Sequence, residues 1–313
     1  MLGADELAAR TARAVASATA AGRDLGLDVI EPRVLYDVFS VIVHLAPSPV
    51  VVRVPTVLPP SYASSPETQT AQQRAELAVA GWLADRGHPV VPPSPLVARE
   101  PVRRDGFSMT FWQFVEQVPD AEPDMRTRIE QTARLHAALR EYDGGGLGFW
   151  TPFGTYIPEG LAELKRMPAL ITSADLERAQ QEWDVLSPVL TSRKAFESAF
   201  PGADVQPIHG DAPYHNMIVT PDGELWSDFE LVTLGAVECD LAMVGPEGIA
   251  IYDAAAVALG LRPLDERVLR VTEAAGRLAM IAALAMAPAL PMLVEAINPM
   301  VDLWRDTPPV TEL

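Results

Sequence analysis

An α+β chain is predicted by where the two hydrophobic periods fall along the sequence. Strand-like runs crowd the first 115 residues, at Val34 to His44, Val50 to Val54 and Phe107 to Val115, whereas helical spacing dominates after Asp124. One exception stands deep in the helical part. Met217-Ile218-Val219 and Leu225-Trp226 flank Pro221-Asp222-Gly223, where Pro presets φ near −65° and Gly tolerates a positive value, so a tight hairpin is expected.

Taken in order, Ala4 to Gly26 reads as an amphipathic helix carrying Asp5, Glu6 and Arg10 and stopping at a glycine. It lacks the basic start and unbroken apolar core of a secretory leader. The first two strand runs are separated by Ala46-Pro47-Ser48-Pro49, a turn neither strand can absorb. Leu58 to Thr70, rich in Pro and Ser, reads as a mobile loop. Gln72 to Arg86 reads as a helix with Leu77, Ala80, Gly81 and Ala84 on one face. A Pro-rich connector, Pro89 to Pro95, leads to a strand pair broken at Arg103-Arg104-Asp105-Gly106, and the second strand is dense in aromatic and β-branched residues.

Asp124 to Tyr142 is a strong helix in which Leu135-His136 reads as packing. Gly144-Gly145-Gly146 marks a break, and Phe149 to Pro158 reads as an aromatic, Pro-bearing loop. Helices are expected over Gly160 to Met167 and Ala174 to Phe200. Beyond the hairpin, they are expected near Ile249 to Leu259, Leu264 to Ala287 and Met292 to Trp304. The end, Arg305 to Leu313, carries Pro308-Pro309 and is expected to fray. The longest uncharged run, Leu278 to Val294, falls short of a membrane span and holds Pro288 and Pro291; it reads as a buried helix followed by a break.

Composition narrows the partners. The 313 residues carry 42 Asp and Glu against 24 Lys and Arg, a formal net charge of −18. That balance opposes a nucleic-acid partner and suits a cationic small molecule or plain solubility. Cys239 is the sole cysteine, which excludes an intrachain disulfide and points to a reducing cytoplasm.

Chemistry concentrates around the hairpin. His209, Asp211 and Asn216 precede its first strand; Asp228 and Glu230 follow its second. Antiparallel pairing sets the start of one strand beside the end of the other, so Asn216 and Asp228 are expected to be close, with Asp211 in reach. A hard divalent cation takes oxygen donors, and Mg²⁺ commonly takes one or two carboxylates plus substrate phosphates. Asn216 and Asp228 suit that role, leaving Asp211 to accept a hydroxyl proton. Two other readings stay open: zinc on His209, Asp211 and His215, and loop residues that merely cap turns.

His209-Gly210-Asp211, Asn216, Asp228-Phe229-Glu230 and Asp240-Leu241-Ala242, in that order and spacing, resemble the catalytic and metal motifs of the aminoglycoside phosphotransferase and choline kinase family, a branch of the protein-kinase-like fold. The resemblance runs from about Val34 to Ala242. It implies a bilobal molecule, with residues 1–115 as a small antiparallel β lobe binding the nucleotide and 116–313 as a mainly helical lobe. It also implies phosphoryl transfer from ATP, or GTP, with Mg²⁺, to a hydroxylated small molecule. Arg53 would take the place usually held by Lys and pair with Glu76 to seat the phosphates.

Arg33 to Val54 contains no glycine, so Ser40 and the amides around Tyr36 to Ser40 would replace a Gly-rich loop. The adenine would lie against Thr110, Phe111, Trp112, Gln113, Phe114 and Val115. His209 and Asp240 would be structural. Glu230, Glu238, Glu247 and Asp253 fall in the family's acceptor region and lean slightly to a cationic acceptor; aminoglycosides, other hydroxylated antibiotics, amino alcohols and sugars are all open. A nucleotide-binding regulator without turnover and a metal-dependent hydrolase are the competing readings.

Overall fold

In the computed structural model, which describes residues 1–313, the β-branched runs of the first 115 residues form one antiparallel sheet. Its strands are β1 (Val29–Asp37), β2 (Ser40–Pro47), β3 (Val50–Pro55), β4 (Val102–Arg104) and β5 (Phe107–Gln113), in the order β1-β2-β3-β5-β4. The run read as one strand from Val34 to His44 is two, turning at Val38-Phe39, where no Gly or Pro announces the turn. Asp105-Gly106, by contrast, turns β4 into β5 with both residues at positive φ (50° and 84°), the geometry such pairs favour.

Val41, Val43 and Leu45 of β2 and Val50, Val52 and Val54 of β3 form the core with Ala14, Ala18 and Ala21 of helix α1 (Ala4–Asp24). Small side chains there let the helix lie close on the sheet.

Leu58 to Thr70 is not a loop. It holds α2 (Pro60–Ser64) and the start of α3 (Pro66–Ala84). Ser65 caps α3 by accepting a hydrogen bond from the Thr68 amide, and Pro66 occupies the first turn, where its missing N–H costs nothing. The expected hairpin forms as β7 (Met217–Thr220) and β8 (Gly223–Trp226), with Met217 opposite Trp226. It pairs with the connector that follows α3: the Trp226 amide donates to the Pro89 carbonyl at 2.9 Å, and the Val91 amide donates to the Trp226 carbonyl at 2.8 Å. One compact unit thus comprises residues 1–122, 217–230 and 288–291, and the other comprises 123–216, 231–287 and 292–313.

The second unit is mainly helical. α4 (Met125–Leu139) is capped by Asp124, whose side chain accepts from the Thr127 amide. α5 (Thr151–Leu164) runs through the segment read as a loop: Pro152 falls in its first turn and Pro158 is carried inside. The single helix expected over Ala174 to Phe200 is two, α6 (Ser173–Leu190) and α7 (Arg193–Ala199), because Ser192 caps a new start at the Ala195 amide. An unanticipated ladder pairs β6 (Gln206–Ile208) with β9 (Thr233–Gly235).

α8 (Gly245–Ala258), α9 (Glu266–Ala283) and α10 (Leu293–Asp306) complete the unit. The uncharged run from Leu278 is the end of α9, a 3-10 turn at Leu284–Met286 and a break before α10. No helix is long and apolar enough to cross a membrane.

Candidate active site

In the first unit the sheet sets Arg53 in β3 opposite Ile42 of β2 and Thr110 of β5, with only 5% of its surface exposed. Three carboxylates converge on it. Glu76, from the buried face of α3 and 1% exposed, lies 3.7 Å from Nη1 through Oε2. Asp228, just past β8, lies 3.4 Å from Nη2 through Oδ1, and Glu230 accepts a hydrogen bond from the same nitrogen. The Glu230 carbonyl accepts from the Gln72 side chain. Asp228 is held in the left-handed region at φ 57°, which Asp tolerates better than most residues.

One guanidinium among three carboxylates leaves the cluster short of positive charge. Burial pushes Glu76 up to about 8; Asp228 and Glu230 add to the shift and Arg53 opposes it. Burial works against the charge of Arg53 too, yet Asp228, Glu230 and Glu76 together hold its pKa above the usual value. Donors are short as well. Both Glu76 carboxylate oxygens and Asp228 Oδ1 are buried atoms without a hydrogen bond. Glu230, expected against the acceptor, is instead drawn onto Arg53.

The segment expected to meet adenine divides. Thr110, Phe111 and Trp112 are buried, and Trp112 Nε1 donates to Thr110 Oγ1 at 2.9 Å. The Gln113 amide donates to the Pro92 carbonyl, the Phe114 amide donates to the Pro49 carbonyl, and the Phe114 ring stacks on His44 at 3.9 Å. The Gln113 residue is exposed and Val115 half-buried.

In the second unit Asp240, 1% exposed, organises the loop before Asp211. Its Oδ1 accepts from the Gly210 amide at 2.8 Å, and its Oδ2 accepts from the His209 amide at 2.9 Å. His136 Nε2 is 3.0 Å from Oδ2, and Nδ1 is 2.8 Å from the Tyr252 hydroxyl. A carboxylate can only accept, so Nε2 carries a proton, and in the neutral ring Nδ1 accepts from tyrosine. Sequence reasoning placed Asp240 as structural but left His136 as packing and passed over Tyr252, 116 positions away. Only the shared fold brings these residues together.

Gly210, at φ 87°, has no room for a side chain, since a Cβ would stand 2.3 Å from the Leu231 carbonyl oxygen. Asp211 follows it directly and is exposed. Asn216, at φ 72°, donates Nδ2 to Asp211 Oδ2 at 2.8 Å and to the Asp211 carbonyl at 3.2 Å. Between them Arg128 Nη1 donates to the Tyr214 carbonyl at 2.6 Å, and the Tyr214 hydroxyl donates to Ala242. The zinc reading does not survive. His209 is wholly buried, His215 is exposed, and no three His, Cys, Asp or Glu residues converge as a metal cage.

The other expected acceptor carboxylates are mostly spoken for. Glu238 is fully buried; its Oε1 accepts from Arg262 Nη1 at 2.6 Å and from the Asp265 amide at 2.7 Å, and Arg262 Nη2 reaches Oε2, so it is a structural ion pair rather than a ligand contact. Asp253 accepts from the Leu264 amide at 2.8 Å. Glu247 is exposed in the first turn of α8.

Against known families, the model of the phosphotransferase enzyme family (APH) matches residues 37–270. The chain belongs to this family. By sequence, no curated protein matches it. Solved structures of similar fold include choline kinase LicA from Streptococcus pneumoniae, at TM-score 0.59 and 11% identity over 91% of this chain and 98% of that one. Aminoglycoside phosphotransferase APH(3'')-Id from Streptomyces rimosus reaches TM-score 0.54 at 18% identity, over 84% and 97%. The amicoumacin kinase hAmiN, in complex with AMP-PNP, Ca²⁺ and Ami, reaches 0.58 at 14% identity, over 96% of both chains. These solved structures share the protein-kinase-like α+β fold, and the phosphotransferase expectation stands at the level of the family.

Proposed function

We propose that the protein transfers the γ-phosphoryl group of ATP or GTP to a hydroxyl of a small molecule. The observation that carries this reading is Asp211: an exposed carboxylate on a backbone whose two preceding amides are clamped by Asp240, turned by the amide of Asn216. A fixed, accessible carboxylate is what an incoming hydroxyl needs as proton acceptor.

Asn216 and Asp228 would hold Mg²⁺. The fit rests on their donor atoms: Asn216 gives its amide nitrogen to Asp211, which makes Oδ1 the atom a cation would take, and Asp228 Oδ1, ion-paired to Arg53 at 3.4 Å, accepts no hydrogen bond. Mg²⁺ commonly takes one or two protein oxygens and completes its shell with phosphate and water. Once bound, Mg²⁺ would neutralise charge on the phosphates. Arg53, steadied by Glu76, would contact those phosphates with Ser40, and Gln113 to Val115 would face the adenine. The acceptor classes are those the kinase neighbours suggest, amino alcohols and hydroxylated antibiotics, with sugars beside them.

Turnover of ATP across a panel of these acceptors tests the reading. Asp211→Asn should lower kcat about 100-fold or more while calorimetry shows MgATP affinity nearly intact. Retention of most of the rate would remove Asp211 from its role. MgATP binding without turnover on any acceptor would favour the regulator.

A further inference from the structure

The β1–β2 turn lacks the chemistry by which a short connection holds itself. Hairpin loops of two or three residues favour a positive φ, supplied by Gly, Asn or Asp. Asp37-Val38-Phe39-Ser40 contains no glycine, and none of the four has a positive φ. The turn is fixed from outside, on two sides. The Phe39 carbonyl accepts from the amides of Thr56 at 2.9 Å and Val57 at 3.0 Å, just beyond β3. On the other side α1 takes the Asp37 carboxylate: Thr11 Oγ1 donates to Oδ2, and Arg10 Nη2 lies 3.7 Å from Oδ1. Arg10 is itself buried and anchored, its Nη1 donating to the Ala289 carbonyl at 2.8 Å. At the end of the turn Ser40 is buried, and its hydroxyl has no hydrogen-bond partner. Buried polar groups are rarely left so without a ligand or water to meet them.

We infer that α1 is a brace for this turn: Thr11 and Arg10 hold Asp37, and through it set Tyr36 to Ser40 in the shape that receives the nucleotide phosphates. The phosphate role rests on the kinase reading above; the brace itself does not. Where a glycine-rich loop must order itself around phosphate, a turn braced beforehand has less freedom to lose on binding. Pairing with Arg10 and Thr11 also keeps the Asp37 charge turned from incoming phosphate, which it would repel. Thr11 and Arg10 are positioning residues in this scheme, because they act through Asp37 and touch no substrate.

Thr11→Val keeps shape and removes the donor. It should raise KM for ATP about fivefold, the worth of one hydrogen bond of ordinary strength, with kcat at saturating ATP unchanged. Amide hydrogen exchange over residues 37–41 should quicken without nucleotide present, and Thr11→Ser should restore both readouts. Arg10→Met should move them in the same direction. Unchanged exchange in Thr11→Val, or a loss in kcat with KM for ATP unaltered, would overturn the inference. If the wild-type protein shows no MgATP binding by calorimetry, the kinase reading fails and the phosphate role with it. Faster exchange in Thr11→Val would then still establish the brace.

Discussion

At Arg53 a single cation answers three carboxylates, and the imbalance has a pH signature. Glu76 is raised from its ordinary 4.5 to about 8 by burial, with Asp228 and Glu230 adding to the shift. The folded state therefore holds this proton more tightly than the unfolded chain does. The stability it confers is complete below about 4.5 and is lost as pH rises through about 8. Glu76→Gln, which copies the protonated form, should give a flatter dependence of thermal midpoint on pH across that window. Identical slopes in the two proteins would remove Glu76 as the cause. Tyr252 offers a second test among single residues. Tyr252→Phe strips the donor from His136 Nδ1 inside a fully buried network. Urea denaturation should show a loss of about 1–3 kcal/mol, the usual cost of leaving a buried polar atom unmet. No measurable loss would mean that His136 finds another donor.

Among elements, the loop from β6 to Asn216 is the least forgiving. Gly210→Ala places a Cβ against the Leu231 carbonyl at a positive φ, so a destabilisation on the order of 3 kcal/mol is expected, with activity lost in the protein that still folds. Near-normal stability and rate would show that the loop can shift. Much of this region was legible beforehand, because turn chemistry is local: Pro221-Asp222-Gly223 and Asp105-Gly106 each announce a hairpin in two or three residues. Where the chain turns without such residues, at Val38-Phe39, a single strand was the natural reading. Proline misled twice. Pro66 and Pro152 sit in first turns of helices, where the ring suits the geometry, yet both lay in stretches that read as loops. Glu238 was illegible for another reason: its partner Arg262 is 24 positions on, and only folding shows that this carboxylate is spent.

For the whole molecule the charge of −18 is the broadest feature, and it acts at range. With Glu230, Glu238 and Asp253 engaged in the protein's own contacts, attraction of a cationic acceptor would come from the summed field of the molecule. Its kcat/KM at saturating MgATP should fall between low salt and about 0.3 M, since the Debye length is about 10 Å at 0.1 M, while a neutral acceptor should show a flat profile. A flat profile for both would reduce the charge to a matter of solubility. The division of the chain has a consequence of another kind. The first unit needs residues 217–230, whose Trp226 bonds to Pro89 and Val91, so it is not finished when its first 122 residues leave the ribosome. During synthesis that segment must wait, its Pro89–Val91 connector without the Trp226 backbone partners, for about a hundred more residues to emerge. A fragment ending at Glu122 should consequently be a poor folder that a separate 217–230 peptide helps to close.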